Sequence, residues 1–509
     1  MPADSRDRTT DRLTSLIWSE GKHDRARVAL ISGGEIWTRA RLFGLAEQMI
    51  RAFAQAGLSA GDRVILHMRN RPEFVAAYLA CFKAGLVAVS INPRLKLAEI
   101  KPLLERTEPA LYIGQADLYA EADRLSGTGL AVDRHVLVDS GPAWQRFLGS
   151  DLPLPAAAEF PASAPALLLP TSGTSGLPKL AVHTRGTLAS MIAATTTSRT
   201  DRDSYTLLSS PVAHALACLY FLGTIAYGEA INLLDGFDAG RVLDEIAHGR
   251  AHRLATLPYM VGALAEEQLA RPRNVDALQL CVTAGDTLPP QMRARFEQAF
   301  GPKLMESFGA TEAAGCFTPG RGSFSLSNAA EFRLLDPDGR VIPDGKEGEL
   351  SLRGPIVVVG YWESPARIRP LSPGGWFDTG DLVRQVAPGE FVYVSRIKDI
   401  IIRAGSNIAP AEIEKALLDL PAVSAAMVVG IPDQAIGQRV AAFIELKNGA
   451  ANSNLRHLIG DLSKSLADYK LPEMLKIVDS LPRNNNGKLD RAAMRANVPS
   501  VWDLDLRAS

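Results

Sequence analysis

A run of nine residues combines hydroxyl side chains, glycines and a lysine in a spacing that suits phosphate binding. The run follows the apolar residues 166–169 and consists of Thr171, Ser172, Gly173, Thr174, Ser175, Gly176, Leu177, Pro178 and Lys179. Its glycines allow close backbone approach and positive φ, its hydroxyl and main-chain N–H groups can donate to phosphate oxygens, and its lysine supplies charge. The run therefore predicts a site for a polyphosphate nucleotide.

Two other interpretations of this run have to be compared with that one. A Ser/Gly-rich stretch taken alone is also typical of a surface linker. A Walker A loop is excluded, because its pattern would need glycine where Pro178 stands and a hydroxyl residue where Leu180 stands. If the run binds phosphate, it belongs to a second class of phosphate loop.

Four later segments carry side chains that fit the rest of a nucleotide site. They are residues 307–312, 376–381, 396–414 and 482–491. Phe308 offers a ring for stacking a base, and Glu312 offers a carboxylate for a hydrated metal ion. Asp381, on a tight turn, can accept hydrogen bonds from both hydroxyls of a ribose. Taken alone, Phe308 could be a core aromatic, Asp381 part of a plain turn, and Lys488 part of an exposed loop.

The residues that must position these segments predict an α/β fold. Short β-type runs at 64–66 and 86–91 flank a helical pattern that starts at Pro72 and ends before Gly85. Proline just inside a helix start and glycine just past its end are the usual boundary signals. Strand, helix and strand in this order predict a βαβ unit with a parallel sheet.

Later parts of the chain add a site wall and two further units. A buried strand at 277–282 should lead into the turn 283–286, and ligands of such folds lie at the carboxyl ends of strands. Beyond about residue 330, short strands separated by Asp-Gly and Pro-Gly turns predict a β-rich subdomain. After Arg396, a helix at 411–418 and strands near 426–429 and 440–444 predict a small α+β domain.

Composition favours small-molecule ligands. The chain has 509 residues, of which 47% are hydrophobic and 22% charged, and its net charge is -1, so no global field attracts nucleic acid or an anionic membrane. The four cysteines lie far apart without metal-ligand spacing, which argues against structural zinc and a disulfide framework. Because the N-terminus has no signal-peptide pattern, we expect a cytoplasmic protein.

One uncharged stretch, residues 206–228, is long enough to span a bilayer. Pro211, Ser209, Ser210 and His214 argue against a span, since each places a polar or helix-breaking group inside it. A buried helix with its polar end at a cavity fits the stretch better. We therefore expect no membrane span.

Taken together and in this order, the five segments resemble the adenylate-forming superfamily, which contains acyl-CoA synthetases, adenylation domains of peptide synthetases, and luciferases. The resemblance extends from about Ile36 to Arg491. It implies a large N-terminal domain (1–397) of layered α/β subdomains plus a β-rich subdomain. A small mobile α+β domain (399–509) would follow a hinge at Lys398. The implied cofactors are ATP, Mg²⁺ and coenzyme A.

The resemblance also implies a role for each candidate residue. Thr171, Ser172, Gly173, Thr174, Ser175, Gly176 and Lys179 would handle the ATP phosphates, Thr311 and Glu312 the nucleotide and Mg²⁺, and Asp381 and Arg396 the ribose. Ser307, Phe308 and Gly309, with Gly285, Asp286 and Thr287, would form the adenine side. The acyl pocket would include His214, Ala215, Cys218, Thr283 and Ala284.

Lys488 would then bridge the acid's carboxylate and the α-phosphate as the acyl-adenylate forms. A carboxylate is a weak nucleophile that must approach an anionic phosphate, so cations have to neutralise both groups. Rotation about Lys398 would afterwards withdraw Lys488 and bring the Gly405 loop to the site for thiol attack.

The sequence departs from the family pattern at four places. Leu180 and Ser395 stand where glycine is usual, and Phe308 where tyrosine is usual. Residues 313–330 form a short segment without the expected glycine pattern. The family pattern therefore does not predict the shape of the entrance to the site.

Small residues around His214 and at 283–285 predict a roomy apolar pocket, which favours a bulky or extended hydrophobic acid. The resulting prediction is an ATP-dependent acid:CoA ligase. The alternatives are a stand-alone adenylation enzyme that loads a carrier-protein phosphopantetheine, and a catalytically silent nucleotide-binding protein. A carrier-protein partner and a homodimer both stay open.

Overall fold

The structure is a computed structural model of the whole chain. It describes residues 12–18, 24–95, 97–123, 135–156, 158–171, 178–196, 203–285, 288–327, 330–343, 345–403, 406–433, 436–447, 455–484 and 487–506. All structural statements below concern these residues.

The strands before residue 400 are, in chain order, β1 Val28–Ser32, β2 Glu35–Thr38, β3 Arg63–His67, β4 Val87–Ser90, β5 Leu111–Gly114, β6 His135–Leu137, β7 Pro165–Thr171, β8 Lys179–Thr184, β9 Tyr205–Leu208, β10 Ala230–Leu233, β11 Arg253–Thr256, β12 Leu280–Ala284, β13 Leu304–Ser307, β14 Phe317–Pro319, β15 Phe324–Leu326, β16 Glu331–Leu335, β17 Val341–Ile342, β18 Glu347–Arg353, β19 Gly360–Ser364, β20 Arg367–Pro370, β21 Phe377–Ala387 and β22 Glu390–Arg396. The later strands are β23 Ile401–Arg403, β24 Ser406–Ile408, β25 Val423–Asp433, β26 Gly437–Leu446, β27 Met474–Ile477 and β28 Leu504–Asp505.

The α-helices are α1 Leu13–Ile17, α2 Arg39–Gln55, α3 Pro72–Ala84, α4 Leu97–Thr107, α5 Ala116–Asp123, α6 Pro142–Leu148, α7 Arg185–Thr196, α8 Ala215–Tyr227, α9 Ala239–Ala247, α10 Pro258–Ala270, α11 Pro290–Phe300, α12 Pro410–Leu418, α13 Leu455–Leu462 and α14 Arg491–Ala496.

Two large sheets form the α/β part of the molecule. Within the described ranges one has the strand order β20-β19-β8-β7-β4-β3-β5-β6, and the other the order β13-β12-β11-β9-β10-β1-β2. The predicted βαβ unit is present, because β3 and β4 pair in parallel and α3 connects them. Pro72 is at the first turn of α3, and Gly85 ends the helix at φ 72°.

The β-rich subdomain begins earlier than the sequence predicted. Residues 317–326 form the hairpin of β14 and β15, which joins the sheet β14-β15-β22-β21-β18-β16-β17. The short segment that precedes residue 330 is therefore part of this sheet. Phe317 and Phe324 are buried in the hairpin, and their burial anchors the segment to the core.

The last unit has its own core. Strand β26 pairs with β25, β23 and β27, and Ile413 and Leu417 of α12 pack against this sheet. The predicted helix and both predicted strands of the C-terminal unit are therefore present. The placement of the hinge at Lys398 stays a prediction.

Two local predictions need correction. The strand expected at 277–282 spans Leu280–Ala284 instead, because residues before 280 form a turn. The uncharged stretch 206–228 comprises β9, a turn at Pro211 and α8, rather than one helix. Among the described residues, no helix combines the length and apolar character that crossing a membrane requires.

Candidate active site

A cavity of about 1880 Å³ lies where the carboxyl ends of the parallel strands, the β-rich sheet and the C-terminal unit meet. Every described candidate residue lines it except Cys218; these are Thr171, Lys179, His214, Ala215, Thr283, Ala284, Gly285, Ser307, Phe308, Gly309, Thr311, Glu312, Asp381, Arg396, Lys398 and Lys488. Segments that are far apart in the sequence therefore contribute to one site.

The two described ends of the phosphate-loop candidate face each other. Thr171 and Lys179 are a residue pair at the end of the antiparallel strands β7 and β8. Arg106 of α4 donates a hydrogen bond to the carbonyl of Pro178, which anchors this end of the loop to the helix. Ser172, Gly173, Thr174, Ser175 and Gly176 lie outside the described residues, as do Asp286, Thr287 and Gly405.

Asp381 and Arg396 form the carboxylate–guanidinium pair expected beside a ribose. They are opposite residues on β21 and β22, and Arg396 Nε lies 2.7 Å from Asp381 Oδ1. Arg396 also donates to the carbonyl of Thr379 (3.0 Å), and the Asp381 backbone N–H donates to Thr379 Oγ1 (3.1 Å). The adjacent strands thus fix both side chains at the cavity wall.

Burial controls the charge of Asp381. Its side chain is 2% exposed, and desolvation raises its pKa to about 6, although Arg396 and Lys488 oppose the shift. A carboxylate with this pKa is ionised at neutral pH and becomes protonated only in mildly acidic solution.

Glu312 belongs to a cluster that the sequence analysis did not identify. Its Oε1 accepts a hydrogen bond of 3.0 Å from the hydroxyl of Tyr361, a residue of β19. The Lys179 ammonium lies 5.1 Å from the centre of the Tyr361 ring, and the Arg369 guanidinium lies 5.0 Å from it. One tyrosine therefore contacts both the lysine of the phosphate-loop candidate and the predicted metal ligand.

The donor set around Glu312 fits a magnesium ion held jointly with a nucleotide. The described residues contain no group of three or more His, Cys, Asp or Glu side chains that could hold a metal. Mg²⁺ is usually bound by one or two protein carboxylates together with substrate phosphates and water, so a single carboxylate at the phosphate end is sufficient.

Phe308 has a packed side and a side that lines the cavity. Its ring stacks on Phe324 with centroids 4.7 Å apart and meets Phe317 edge-on at 5.3 Å. Phe308 therefore belongs to an aromatic cluster and also lines the cavity, and its role in stacking a base stays a prediction.

The acyl end of the cavity is formed by α8 and the ends of β11 and β12. Leu216, Leu219 and Tyr220 of α8 line it, at the 3- to 4-residue spacing of one helix face. Cys218 is on another face of α8, is 0% exposed and packs in the core. The prediction that Cys218 lines the pocket is therefore wrong, and the neighbouring leucines take that place.

His214 precedes α8 as its N-cap residue and carries no charge near neutral pH. Its Nε2 lies 3.1 Å from Asn92 Nδ2, so Nε2 accepts the hydrogen bond and the neutral ring carries its proton on Nδ1. Burial lowers its pKa to about 4, with smaller contributions from the charges of Lys488 and Arg94. His214 therefore cannot supply the positive charge that a substrate carboxylate needs.

Lys488 places a positive charge near His214 in the cavity. A Cβ placed on Gly285 would lie 3.3 Å from Lys488 Cε and 3.6 Å from its Nζ, so the side chain lies against the turn after β12. Its charge acts on both His214 and Asp381. The lysine of the C-terminal unit thus lies between the acyl end and the ribose end of the cavity.

Known proteins share this combination of sequence and fold. A family model for the AMP-binding enzyme matches residues 18–362, and one for the AMP-binding enzyme C-terminal domain matches residues 412–488. Triostin synthetase I of Streptomyces triostinicus is 31% identical over 509 residues, which cover 95% of this chain and 94% of that protein. A feruloyl-CoA synthase of an Amycolatopsis species is 30% identical over 488 residues, covering 92% and 95%.

Among solved structures, that of ATP-bound MatB from Rhodopseudomonas palustris matches with a TM-score of 0.87 at 24% identity, covering 96% of this chain and 99% of that one. The predicted fold, a large α/β domain with a small C-terminal domain, is confirmed by this likeness. Because the first family model covers well over half of the residues, the chain belongs to the AMP-binding enzyme family, the adenylate-forming superfamily that its motifs predicted.

Proposed function

We propose that this enzyme is an ATP-dependent acid:CoA ligase, which activates a hydrophobic, bulky carboxylic acid as an acyl-adenylate and transfers the acyl group to CoA. The observation that carries the proposal is the position of Lys488 between the acyl pocket and the Asp381–Arg396 pair. A cation at this point lies where a carboxylate and an α-phosphate would meet.

In the first half-reaction, a carboxylate oxygen attacks the α-phosphorus of ATP, and the bond from that phosphorus to pyrophosphate breaks. Lys488 neutralises both anions as they approach each other. Asp381 and Arg396 orient the ribose, and Lys179 binds the departing phosphates. Mg²⁺, held by Glu312 and the phosphates, would supply further charge neutralisation during this step.

In the second half-reaction, the thiolate of CoA attacks the acyl carbon, and AMP leaves with the electrons of the carbon–oxygen bond. Lys488 has no role in this step, since the carboxylate has already lost its charge. Rotation of residues 399–509 about Lys398 would remove the lysine and open the acyl carbon to the thiol.

The pocket supports an apolar acid. Its acyl end presents Leu216, Leu219, Tyr220 and Leu257, and no acidic side chain of the described residues lies among them to bind an amino group. The feruloyl-CoA synthase relative is named for an acid of this kind. An aryl or long aliphatic acid is therefore a better candidate than acetate or an amino acid.

A carrier-protein thiol is the second candidate for the acceptor. Both acceptors share the phosphopantetheine arm, and a relative matched over nearly the full length, triostin synthetase I, is not named for CoA. The acyl end of the cavity would be the same in either case.

Mass spectrometry of the products tests the proposal. The protein is incubated with ATP, Mg²⁺, CoA and a pool of aliphatic, aryl and polycyclic acids that includes ferulic acid. We expect masses of acyl-CoA together with AMP. Acyl-adenylates without thioesters would instead favour the carrier-protein acceptor.

The Lys488→Ala variant and a reaction without ATP are the controls. Lys488→Ala should lose the adenylation half-reaction while it still forms thioester from supplied acyl-adenylate. Equal losses in both half-reactions would contradict the role of Lys488. Absence of ATP turnover with every acid would contradict the ligase and favour a catalytically silent nucleotide-binding protein.

A further inference from the structure

The described residues of the turn that carries Lys488 are joined by hydrogen bonds. Asn484 N–H donates to the Lys488 carbonyl (2.8 Å), and Lys488 N–H donates to Asn484 Oδ1 (3.1 Å). Gly487 N–H donates to the Asn484 carbonyl (2.8 Å), and Arg483 Nη1 donates to the Gly487 carbonyl (3.0 Å). We call residues 483–484 and 487–489 the Lys488 turn; these hydrogen bonds link its described members to one another.

Tyr259 of the large domain packs against this turn. The Arg483 guanidinium lies 5.8 Å from the centre of the Tyr259 ring. Gly487 lies so close to the same ring that a Cβ on it, at φ +80°, would be 2.8 Å from Tyr259 Cε1. Tyr259 thus contacts Gly487, the residue just before Lys488, and Arg483, which donates to the Gly487 carbonyl.

Tyr259 is itself held in place from the other side. It is in the first turn of α10, next to Pro258, and its ring meets Phe237 edge-on with centroids 5.9 Å apart. Its hydroxyl interacts with Arg94, which lies two residues after Asn92, the partner of His214. Phe237 and Arg94 therefore contact the Tyr259 side chain independently of the Lys488 turn.

We propose that Tyr259 is a positioning residue that docks the Lys488 turn and so sets the position of the Lys488 ammonium during adenylation. The proposal rests on the proposed function, because it assigns Lys488 to the first half-reaction. Aromatic and cation–π contacts of this kind favour the domain position in which the turn is docked. Tyr259 has no corresponding task once the domain has rotated away.

Two measurements on the full-length protein test the docking. The first is the rate of each half-reaction: acid-dependent exchange of pyrophosphate into ATP with the pooled acids, and thioester formation from the matching synthetic acyl-adenylate. Tyr259→Ala should slow pyrophosphate exchange by roughly tenfold or more and leave thioester formation within about twofold of wild type. Tyr259→Phe keeps the ring and should restore most of the exchange rate.

The second measurement does not depend on the acid. Hydrogen exchange at the amides of Asn484, Gly487 and Lys488 is compared with ATP bound in each variant. Tyr259→Ala should increase this exchange, because the turn loses its docking surface. Tyr469→Ala, a matched change of a 42% exposed tyrosine, should alter neither measurement.

The outcomes separate the two proposals. Equal losses in both half-reactions, or an unchanged exchange of pyrophosphate in Tyr259→Ala, would overturn the docking role. If the wild-type protein adenylates no acid but its turn still becomes exposed in Tyr259→Ala, the ligase proposal fails and the docking surface stands.

Discussion

Asp381 shows how burial sets the working range of one residue. In the proposed function Asp381 accepts hydrogen bonds from the ribose hydroxyls and has to be ionised, yet desolvation raises its pKa to about 6. A raised pKa in the folded state costs the ligand-free protein stability as the pH increases from about 4 towards 6 and above, because the buried group must ionise. The buried carboxylate therefore lowers the stability of the ligand-free protein, and we propose that its function is to bind the ribose of a nucleotide.

The first prediction concerns the pH dependence of ATP binding. Below pH 6 Asp381 becomes protonated and can no longer accept hydrogen bonds from both ribose hydroxyls, so the KM for ATP should rise about fivefold between pH 6 and pH 5. His214 does not change its charge in this range, since its pKa is near 4.

Asp381→Asn is the control, because it cannot titrate; its KM should be high at all pH values and rise less as the pH falls. A wild-type profile parallel to that of Asp381→Asn would show that another group, such as the ATP phosphates, causes the change.

The second prediction concerns Tyr361. Tyr361→Phe keeps the ring beside Lys179 but removes the donor to Glu312 Oε1. A buried hydrogen bond to a charged group contributes about 1.5–3 kcal/mol, so adenylation should slow by roughly tenfold or more, and the Mg²⁺ concentration for half-maximal rate should rise.

Titration of pyrophosphate exchange with Mg²⁺ measures both effects. Tyr205→Phe, in a tyrosine that stacks on His252 away from the cavity, is the matched control. An Mg²⁺ titration unchanged in Tyr361→Phe would separate Tyr361 from the metal site.

At the scale of elements, the chain has to turn sharply at the end of α3 to start β4. Gly85 does this at φ +72°, and a Cβ there would lie 2.4 Å from Phe160 Cε1. Gly57 adopts nearly the same backbone angle, φ +73°, with no atom within 4 Å of its Cβ position. The two glycines form a matched pair that separates backbone strain from a steric clash.

The third prediction follows from this pair. Gly57→Ala should reduce the free energy of unfolding by about 1–2 kcal/mol, the cost of a left-handed non-glycine residue. Gly85→Ala should cost clearly more, because the Phe160 ring must also move. Urea unfolding followed by circular dichroism measures both changes, and equal losses would show that the ring moves without cost.

At the scale of the whole molecule, the proposed hinge at Lys398 would decide which half-reaction is accessible. Lys398 is the middle residue of a short 3-10 turn, Ile397–Asp399. The backbone φ of a 3-10 turn falls in the range that proline adopts. The present arrangement, with Lys488 in the cavity, should therefore tolerate Lys398→Pro, while rotation about this residue should not.

The fourth prediction is that Lys398→Pro keeps adenylation within about threefold and slows thioester formation from supplied acyl-adenylate by roughly tenfold or more. Stopped-flow measurement of each half-reaction tests this. Lys398→Ala is the control, because it removes the charge and keeps the rotation. Lys415→Pro is not suitable as a control, because it would break α12. A similar loss in Lys398→Ala would point to the charge rather than the hinge.

The sequence alone determined the local features of this protein. Pro72 and Gly85 marked the ends of a helix because their backbone preferences act within one turn. Glu312, Asp381 and Lys488, which line one cavity, could be named as candidates from the sequence because their motifs are short and their chemistry depends on few neighbours.

Only the tertiary structure decided which side chains meet. Tyr361 joins Lys179 to Glu312, although the three residues belong to distant segments of the sequence, and Tyr259 meets a turn of the C-terminal unit. Whether Cys218 or Leu219 faces the cavity depends on how α8 is rotated against its neighbours, since the whole helix is apolar and gives no periodic signal. Such pairings arise from packing between distant elements, which no local pattern of residues specifies.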